Sequence, residues 1–202
     1  MTASVDETVK AIRSGQPVIL PTDTVYGLCA TPFTYDAALR VYMAKRRDGS
    51  QPTALLATDV DMLLECVPEL RGRSAEIARA LFPGPYTLVL PNPARRYRWL
   101  AGSTPEKIGV RVAELPGDAA TVLERVGAVL ATSANLPGGP EPGRLDDVPG
   151  EIRSAVAAEL DGGELPGVPS TVIDVTGPEP QVLREGVVPA RQALEAVLAV
   201  TA

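Results

Sequence analysis

The stretch VILPTDTVYGL, Val18 to Leu28, decides how the rest of the chain is read. Pro17 opens an apolar run over Val18 to Leu20, which predicts a buried strand. That strand runs into a loop carrying Thr22, Asp23, Thr24 and Tyr26, followed by the conformationally permissive Gly27. Such hydroxyl and carboxylate groups at a strand end either line a small polar pocket or satisfy the local backbone. Upstream, Ser4 with Glu7 three residues later forms a capping box ahead of Val5, Val9 and Ile12, and Gly15 supplies the stop signal, so a short amphipathic helix is expected. Downstream, Ala38, Leu39, Tyr42 and Met43 share one side of a helix over Tyr35 to Ala44. Helix, strand and helix in succession mark an α/β chain.

The alternation continues to the end. Strands are predicted over Ala54 to Ala57, Tyr86 to Leu90, Ile108 to Val112, Ala128 to Ala131, Thr171 to Val175 and Gln181 to Leu183. Helices are predicted around Pro68 to Phe82, Ala119 to Arg125, Glu151 to Leu160 and Pro189 to Leu198. Irregular spacing and Pro-rich connections argue against a regular doubly wound sheet. The 20 prolines and 18 glycines concentrate at Phe82 to Pro85, Leu136 to Gly143 and Gly162 to Pro169. Each lies beside a predicted strand end, where α/β proteins place ligand contacts. At 202 residues, with no internal repeat, one domain over residues 1–202 is expected.

Composition removes several chemistries. The chain has two cysteines, Cys29 and Cys66, and no histidine, which excludes a zinc site of Cys and His ligands and every imidazole-based nucleophile system. A formal net charge of −6 disfavours nonspecific nucleic-acid binding. No apolar run approaches the roughly 20 residues of a membrane-spanning helix, and MTASVDETVK lacks a signal-peptide pattern, so the protein is read as cytoplasmic. Of 19 basic residues only Lys10, Lys45 and Lys107 are lysines, which makes a lysine inside a motif notable.

Three further segments carry functional groups. AKRRDGSQP puts Lys45, Arg46 and Arg47 at a helix end, suited to polyphosphate or to the helix dipole. ATSANLPGGPEPG delivers Thr132, Ser133 and Asn135 into a Gly- and Pro-rich loop that can cradle phosphate oxygens, although it is not a Walker A loop. GVPSTVIDV and LREGVV bring Ser170, Thr171 and Arg184 to strand ends, with Arg184 able to clamp a carboxylate or phosphate. The cluster RRYRW, Arg95 to Trp99, interleaves cations and aromatics as single-strand binders do, and is more often a solvated loop.

In order, PTDTVYGL, the Lys45-x-Arg47 pair, PGPYTLVL, IGVRVAELP, the Ser133-x-Asn135 pair, PSTVIDV and LREG resemble the YrdC-like family of threonylcarbamoyl-AMP synthases. The resemblance spans most of the chain and implies a single YrdC-like α/β domain, a twisted mixed sheet with flanking helices and a concave, locally basic cleft. It implies condensation of L-threonine, bicarbonate and ATP into threonylcarbamoyl-AMP and pyrophosphate, with Mg²⁺ accompanying ATP and no metal ligand assigned among the chain's own residues. Lys45 and Arg47 are then the catalytic cations. The ATP-binding set is Lys45, Arg47, Lys107, Ser133, Asn135 and Arg184, and the threonine-binding set is Thr24, Arg111 and Ser170. Tyr26 is assigned to packing. Lys107 and Arg111 can alternatively belong to the exposed face of a strand. Downstream partners are tRNA threonylcarbamoyl-transferase proteins, with a weak direct tRNA contact left open and no membrane contact expected.

The sequence departs from the family pattern in places. Leu55 and Leu56 lie where some relatives carry a histidine, Asp48 replaces a frequent proline, and Pro137 and Gly143 replace small hydroxyl residues. The last motif lies near the end of the sequence, so the short form without an extra C-terminal domain is expected. Two other readings stand beside this one: a carbamoyl-adenylate-forming enzyme of the same type, and a non-catalytic RNA-binding module.

Overall fold

The computed structural model describes residues 2–201. In chain order the elements are α1 (Val5–Arg13), β1 (Val18–Pro21), β2 (Tyr26–Ala30), α2 (Tyr35–Ala44), β3 (Ala54–Ala57), α3 (Val60–Cys66), α4 (Arg73–Leu81) and β4 (Tyr86–Pro91). They continue with β5 (Lys107–Val112), α5 (Asp118–Val126), β6 (Ala128–Ser133), α6 (Gly150–Arg153), β7 (Ala158–Glu159), β8 (Thr171–Asp174), β9 (Gln181–Arg184) and α7 (Ala190–Thr201). All strands join one mixed nine-stranded sheet in the order β7-β1-β2-β6-β3-β5-β4-β8-β9.

Local sequence explains where several of these elements begin. Ser4 Oγ accepts the Glu7 N–H while the Glu7 carboxylate accepts the Ser4 N–H at 2.8 Å, so the expected capping box starts α1. Asp59 Oδ1 accepts the Met62 N–H at 2.7 Å and starts α3, a short helix absent from the sequence reading. The helix expected over Pro68 to Phe82 begins only at Arg73, after Gly72 turns the chain with φ 53°.

Two expectations are corrected. The threonine-rich loop after β1 is only a tight turn, because Thr22 Oγ1 accepts the N–H groups of Thr24 and Val25 at 3.2 Å and donates to Val25 O at 2.7 Å. The chain then returns as β2, whose Gly27 lies between Leu20 of β1 and Ser133 of β6. The helix expected over Glu151 to Leu160 stops at Arg153, and Ala158 and Glu159 instead pair in parallel with Val18 and Ile19.

The pleat divides the side chains between two layers. Ile19, Leu28, Leu55, Leu88, Val110 and Ile173 point into the larger core, closed by apolar residues of α2, α3, α4 and α7. Val18, Leu20, Cys29, Leu56 and Val129 point the other way, into a smaller core with Val9 and Ile12 of α1 and Val122 and Leu123 of α5. Further along this second face, β4 presents Thr87 and Val89, β5 presents Lys107, Gly109 and Arg111, and β8 presents Val172 and Asp174 to a pocket. Burial pushes the Cys29 thiol in the smaller core up to about 12, out of reach of neutral-pH titration.

Candidate active site

The pocket on this face has a volume of about 610 Å³ and is walled by strands β4, β5, β6, β8 and β9 together with the Thr22–Val25 turn. One wall is built from two motifs far apart in sequence. Lys45 caps the C-terminus of α2 and is only 3% exposed. Its ammonium donates to Ser133 O, to Asn135 O at 2.6 Å and to Asn135 Oδ1 at 3.1 Å. Ser133 Oγ donates to the same Asn135 Oδ1 at 2.7 Å, and Asn135 Nδ2 donates to Gly139 O at 2.8 Å. The contact exists because β6 pairs with β2 while α2 packs over β2. Burial, helped by the neighbouring Arg47 charge, pulls Lys45 down to about 8.

Arg46 adopts a left-handed backbone with φ 52°, which redirects the chain so that Arg47 turns inward. Arg47 Nη2 donates to Thr53 Oγ1 at 2.5 Å, and the guanidinium lies 5.1 Å from the centre of the Tyr42 ring. Its Nε is buried without a partner, and burial lowers its proton affinity. Lys45, Arg47 and Asn135 therefore stand behind the pocket wall, which they reach through Ser133 and Thr53.

The second group surrounds Arg111, which is 8% exposed. Its Nη2 donates to Asp23 Oδ1 at 2.7 Å and to Thr24 Oγ1 at 3.3 Å, while its Nε is buried without a partner. Asp23 and Thr24 thus reach the strand guanidinium from the turn after β1.

A third group joins Thr87 of β4, Ser170 just before β8 and Arg184 of β9. The Ser170 and Thr87 hydroxyls share a hydrogen bond of 2.8 Å, and Arg184 Nη2 donates to Ser170 O at 2.9 Å. Burial lowers the proton affinity of Arg184, Glu141 opposes that shift and Arg111 adds to it. The glycine of LREG is sterically required, since a Cβ on Gly186 would lie 2.1 Å from Pro169 O, beside Ser170.

Thr24, Lys107, Arg111, Ser133, Ser170 and Arg184 all line the pocket. Lys107 belongs to neither the Lys45 nor the Arg111 group: it shares the open face of β5 with Arg111, and its ammonium pairs with Asp174 Oδ2 at 2.7 Å. Burial disfavours the Asp174 carboxylate, yet Lys107 and the Thr176 hydroxyl and N–H outweigh it and hold the group below the usual range. Tyr26 is buried as expected, and its hydroxyl also ties down the loop after β7, lying 2.8 Å from both Asp161 Oδ1 and Gly163 O.

Thr53, Thr87 and Asp174 are pocket groups missed by sequence reasoning. Thr87 and Asp174 lie inside the quoted strand motifs, where a polar residue on the face opposite the apolar ones was the available signal. RRYRW is largely engaged within the protein: Arg96 pairs with Glu69, Trp99 Nε1 donates to Pro32 O at 3.0 Å, and Tyr97 packs against Phe33 and Trp99. Among the described residues no three His, Cys, Asp or Glu side chains gather to hold a metal, and no helix is long and apolar enough to cross a membrane.

An open sheet face with buried cations beside small hydroxyl and amide groups defines an α/β domain whose pocket is chemically suited to small charged ligands. Residues 10–186 match the model of the Sua5/YciO/YrdC family, described as telomere recombination, and the chain belongs to that family. A threonylcarbamoyl-AMP synthase of Xanthomonas campestris pv. campestris is 31% identical over 192 residues, covering 91% of this chain and 98% of that protein. The threonylcarbamoyl-AMP synthase of Pyrococcus abyssi is 34% identical across 88% of this chain, which spans only 52% of that longer protein. The crystal structure of P. abyssi Sua5 complexed with L-threonine superposes with a TM-score of 0.84 at 31% identity, covering 95% of this chain and 56% of that one.

Proposed function

We propose that the protein is an L-threonylcarbamoyladenylate synthase, a nucleotidyltransferase that condenses L-threonine, bicarbonate and ATP into threonylcarbamoyl-AMP and pyrophosphate. The observation that carries this reading is a single pocket with two separate polar arrangements, Arg111 with Thr24 and Asp23 in one, and Ser133 backed by Lys45 in the other. Similarity to a P. abyssi protein crystallised with L-threonine supports the first as the amino-acid end.

In this reading the threonine carboxylate pairs with the Arg111 guanidinium, and the Thr24 and Ser170 hydroxyls orient the rest of the molecule. The free amine forms a C–N bond to the bicarbonate carbon with loss of water, giving a carbamate. A carbamate oxygen then attacks the α-phosphorus of ATP as the bond to the departing pyrophosphate breaks. Ser133 and Arg184 face the triphosphate, Lys45, Arg47 and Asn135 support it from behind the wall with the positive field that stabilises charge developing during displacement, and Lys107 completes the nucleotide end. No side chain is asked to form a covalent intermediate, which suits a chain without histidine.

Among the described residues no cluster of acidic side chains gathers to hold a metal by itself, so Mg²⁺ is proposed to enter only with ATP, whose phosphate oxygens would supply most of its ligands. Charge on the leaving pyrophosphate would then be partly neutralised by that cation. The proposed setting is the cytoplasm, where tRNA threonylcarbamoyl-transferase proteins consume the adenylate. The test is pyrophosphate release by the purified chain with ATP, bicarbonate and each amino acid in turn. Release that requires both threonine and bicarbonate is expected, and release indifferent to threonine refutes the assignment.

A further inference from the structure

The motif IGVRVAELP carries a glycine that the chemistry above leaves unused. Gly109 lies inside β5, two residues from Lys107 and two from Arg111, and all three line the pocket. A glycine in a strand interior weakens the strand and brings no side chain to pack. Where no bulge or bend calls for it, such a glycine marks a place that another group approaches closely.

The fold makes no demand for glycine here. Gly109 has no left-handed φ, and the pairing of β5 with β4 runs through it without a shift, Val89 standing opposite. A Cβ would meet nothing nearer than Thr87 Cγ2 at 3.7 Å and Ala54 Cα at 3.9 Å, both ordinary contacts. Gly27, which also lines the pocket, differs: its Cβ would press on Thr22 Cγ2 at 3.3 Å. The space over Gly109 is therefore open to a ligand and is not needed by the chain.

The surroundings indicate which part of a ligand belongs there. Ala131 of β6 and Ala54 of β3 pair with each other beside Gly109, so the pocket floor stays shallow across three strands. Roughly 7 Å along β5 on either side stand the two cations. Arg111 is 8% exposed and spends only its Nη2 on Asp23 and Thr24, so its other N–H groups have no partner within the protein. A guanidinium in a cavity wall with donors to spare is ordinarily completed by a bound acceptor. Lys107, on the opposite side, belongs to the nucleotide end. The carboxylate end and the nucleotide end thus flank Gly109, and the atoms to be joined lie between them.

We propose that Gly109 is the seat of the bond-forming step: its missing side chain lets the carbamate rest against the β5 backbone, where a carbamate oxygen reaches the α-phosphorus as the bond to pyrophosphate breaks. The inference rests on the proposed function, which sets what is joined there.

The test compares wild type, G109A and G109V by urea unfolding, by calorimetric titration with threonine and with ATP singly, and by threonine-dependent pyrophosphate release. G109A is expected to be at least as stable as wild type, because the Cβ fits and alanine restricts the unfolded chain. Each substrate alone is expected to bind G109A with near wild-type affinity. Turnover is expected to fall about a hundredfold, the order lost when reacting groups are misplaced by roughly 1 Å. G109V, with two further methyl groups over the floor, is expected to lose more. Wild-type turnover in G109A overturns the inference. So does a turnover loss accompanied by lost stability, which would make the glycine a requirement of the strand, and so does a loss explained by weaker binding of one substrate alone. Pyrophosphate release by wild type that ignores threonine overturns the proposed function itself, and leaves no junction for Gly109 to seat.

Discussion

Raising the pH removes charge from Lys45, and ATP binding should record the loss. Lys45 has a folded value of about 8 against the ordinary 10.5, with burial as the leading cause. At about pH 7 such a group is roughly 90% ammonium, and at about pH 9 roughly 10%. If the nucleotide binds only while Lys45 is charged behind Ser133, affinity falls about tenfold, or ~1.4 kcal/mol, per pH unit above 8. Phosphate beside the group favours the charged form, so binding near pH 8 should take up as much as about half a proton per ATP. Calorimetry in buffers of different ionisation enthalpy measures that uptake directly, and leaving threonine out removes the titration of its amine. Lys45→Arg should abolish both the pH limb and the uptake, because a guanidinium stays charged throughout this range. ATP affinity flat from about pH 7 to 9.5 in wild type, or a limb that survives in Lys45→Arg, refutes the reasoning. The sign for stability is the reverse. Because the folded value lies below the unfolded one, the buried ammonium costs the unliganded fold about 3 kcal/mol below pH 8, and that stability is regained as the pH rises from 8 to 10.5.

Arg111→Lys is expected to raise the threonine concentration needed for half-maximal rate about tenfold or more while ATP affinity by calorimetry stays within about twofold, since an ammonium cannot offer two parallel N–H donors to a carboxylate. Equal damage to both substrates would place Arg111 elsewhere in the scheme. Tyr26→Phe removes a hydroxyl shared among Asp161, Gly163 and the Gly162 N–H, and should destabilise the fold by about 1–3 kcal/mol in urea unfolding with substrate affinities preserved. A loss of turnover without a loss of stability would give Tyr26 a direct part in the reaction.

Much of the architecture is legible in the sequence because periodicity and caps are local. Ser4 and Glu7 announce α1, and α2 begins and ends where its periodic face does. The strand β2 escapes that reading because YGLCA is buried along its whole length and so shows no alternation, while Gly27 looks like loop chemistry. Its strand identity comes from pairing on both edges. β7 is two residues long and exists only through its partner Val18–Ile19, so no propensity marks it. At the site, motif residues identify the pocket, but the relation between them is tertiary. Lys45 reads as a free cation at a helix end, whereas in the fold it is buried against the carbonyls of Ser133 and Asn135. Lys107 reads as either nucleotide ligand or strand surface. It lines the pocket and is already paired with Asp174, a carboxylate whose position depends on the parallel pairing of β4 with β8.

The central claim is that one pocket joins an amino acid and bicarbonate to the α-phosphate of ATP. Its most direct measurement is mass spectrometry of the nucleotide product formed from ATP, threonine and ¹³C-bicarbonate. The account predicts an adenylate that carries both the threonine residue and the heavy carbon, formed alongside pyrophosphate. It also predicts that this adenylate is lost when the carboxylate clamp is removed by Arg111→Ala. An adenylate carrying threonine without the labelled carbon, or pyrophosphate released with no labelled adenylate, would contradict it.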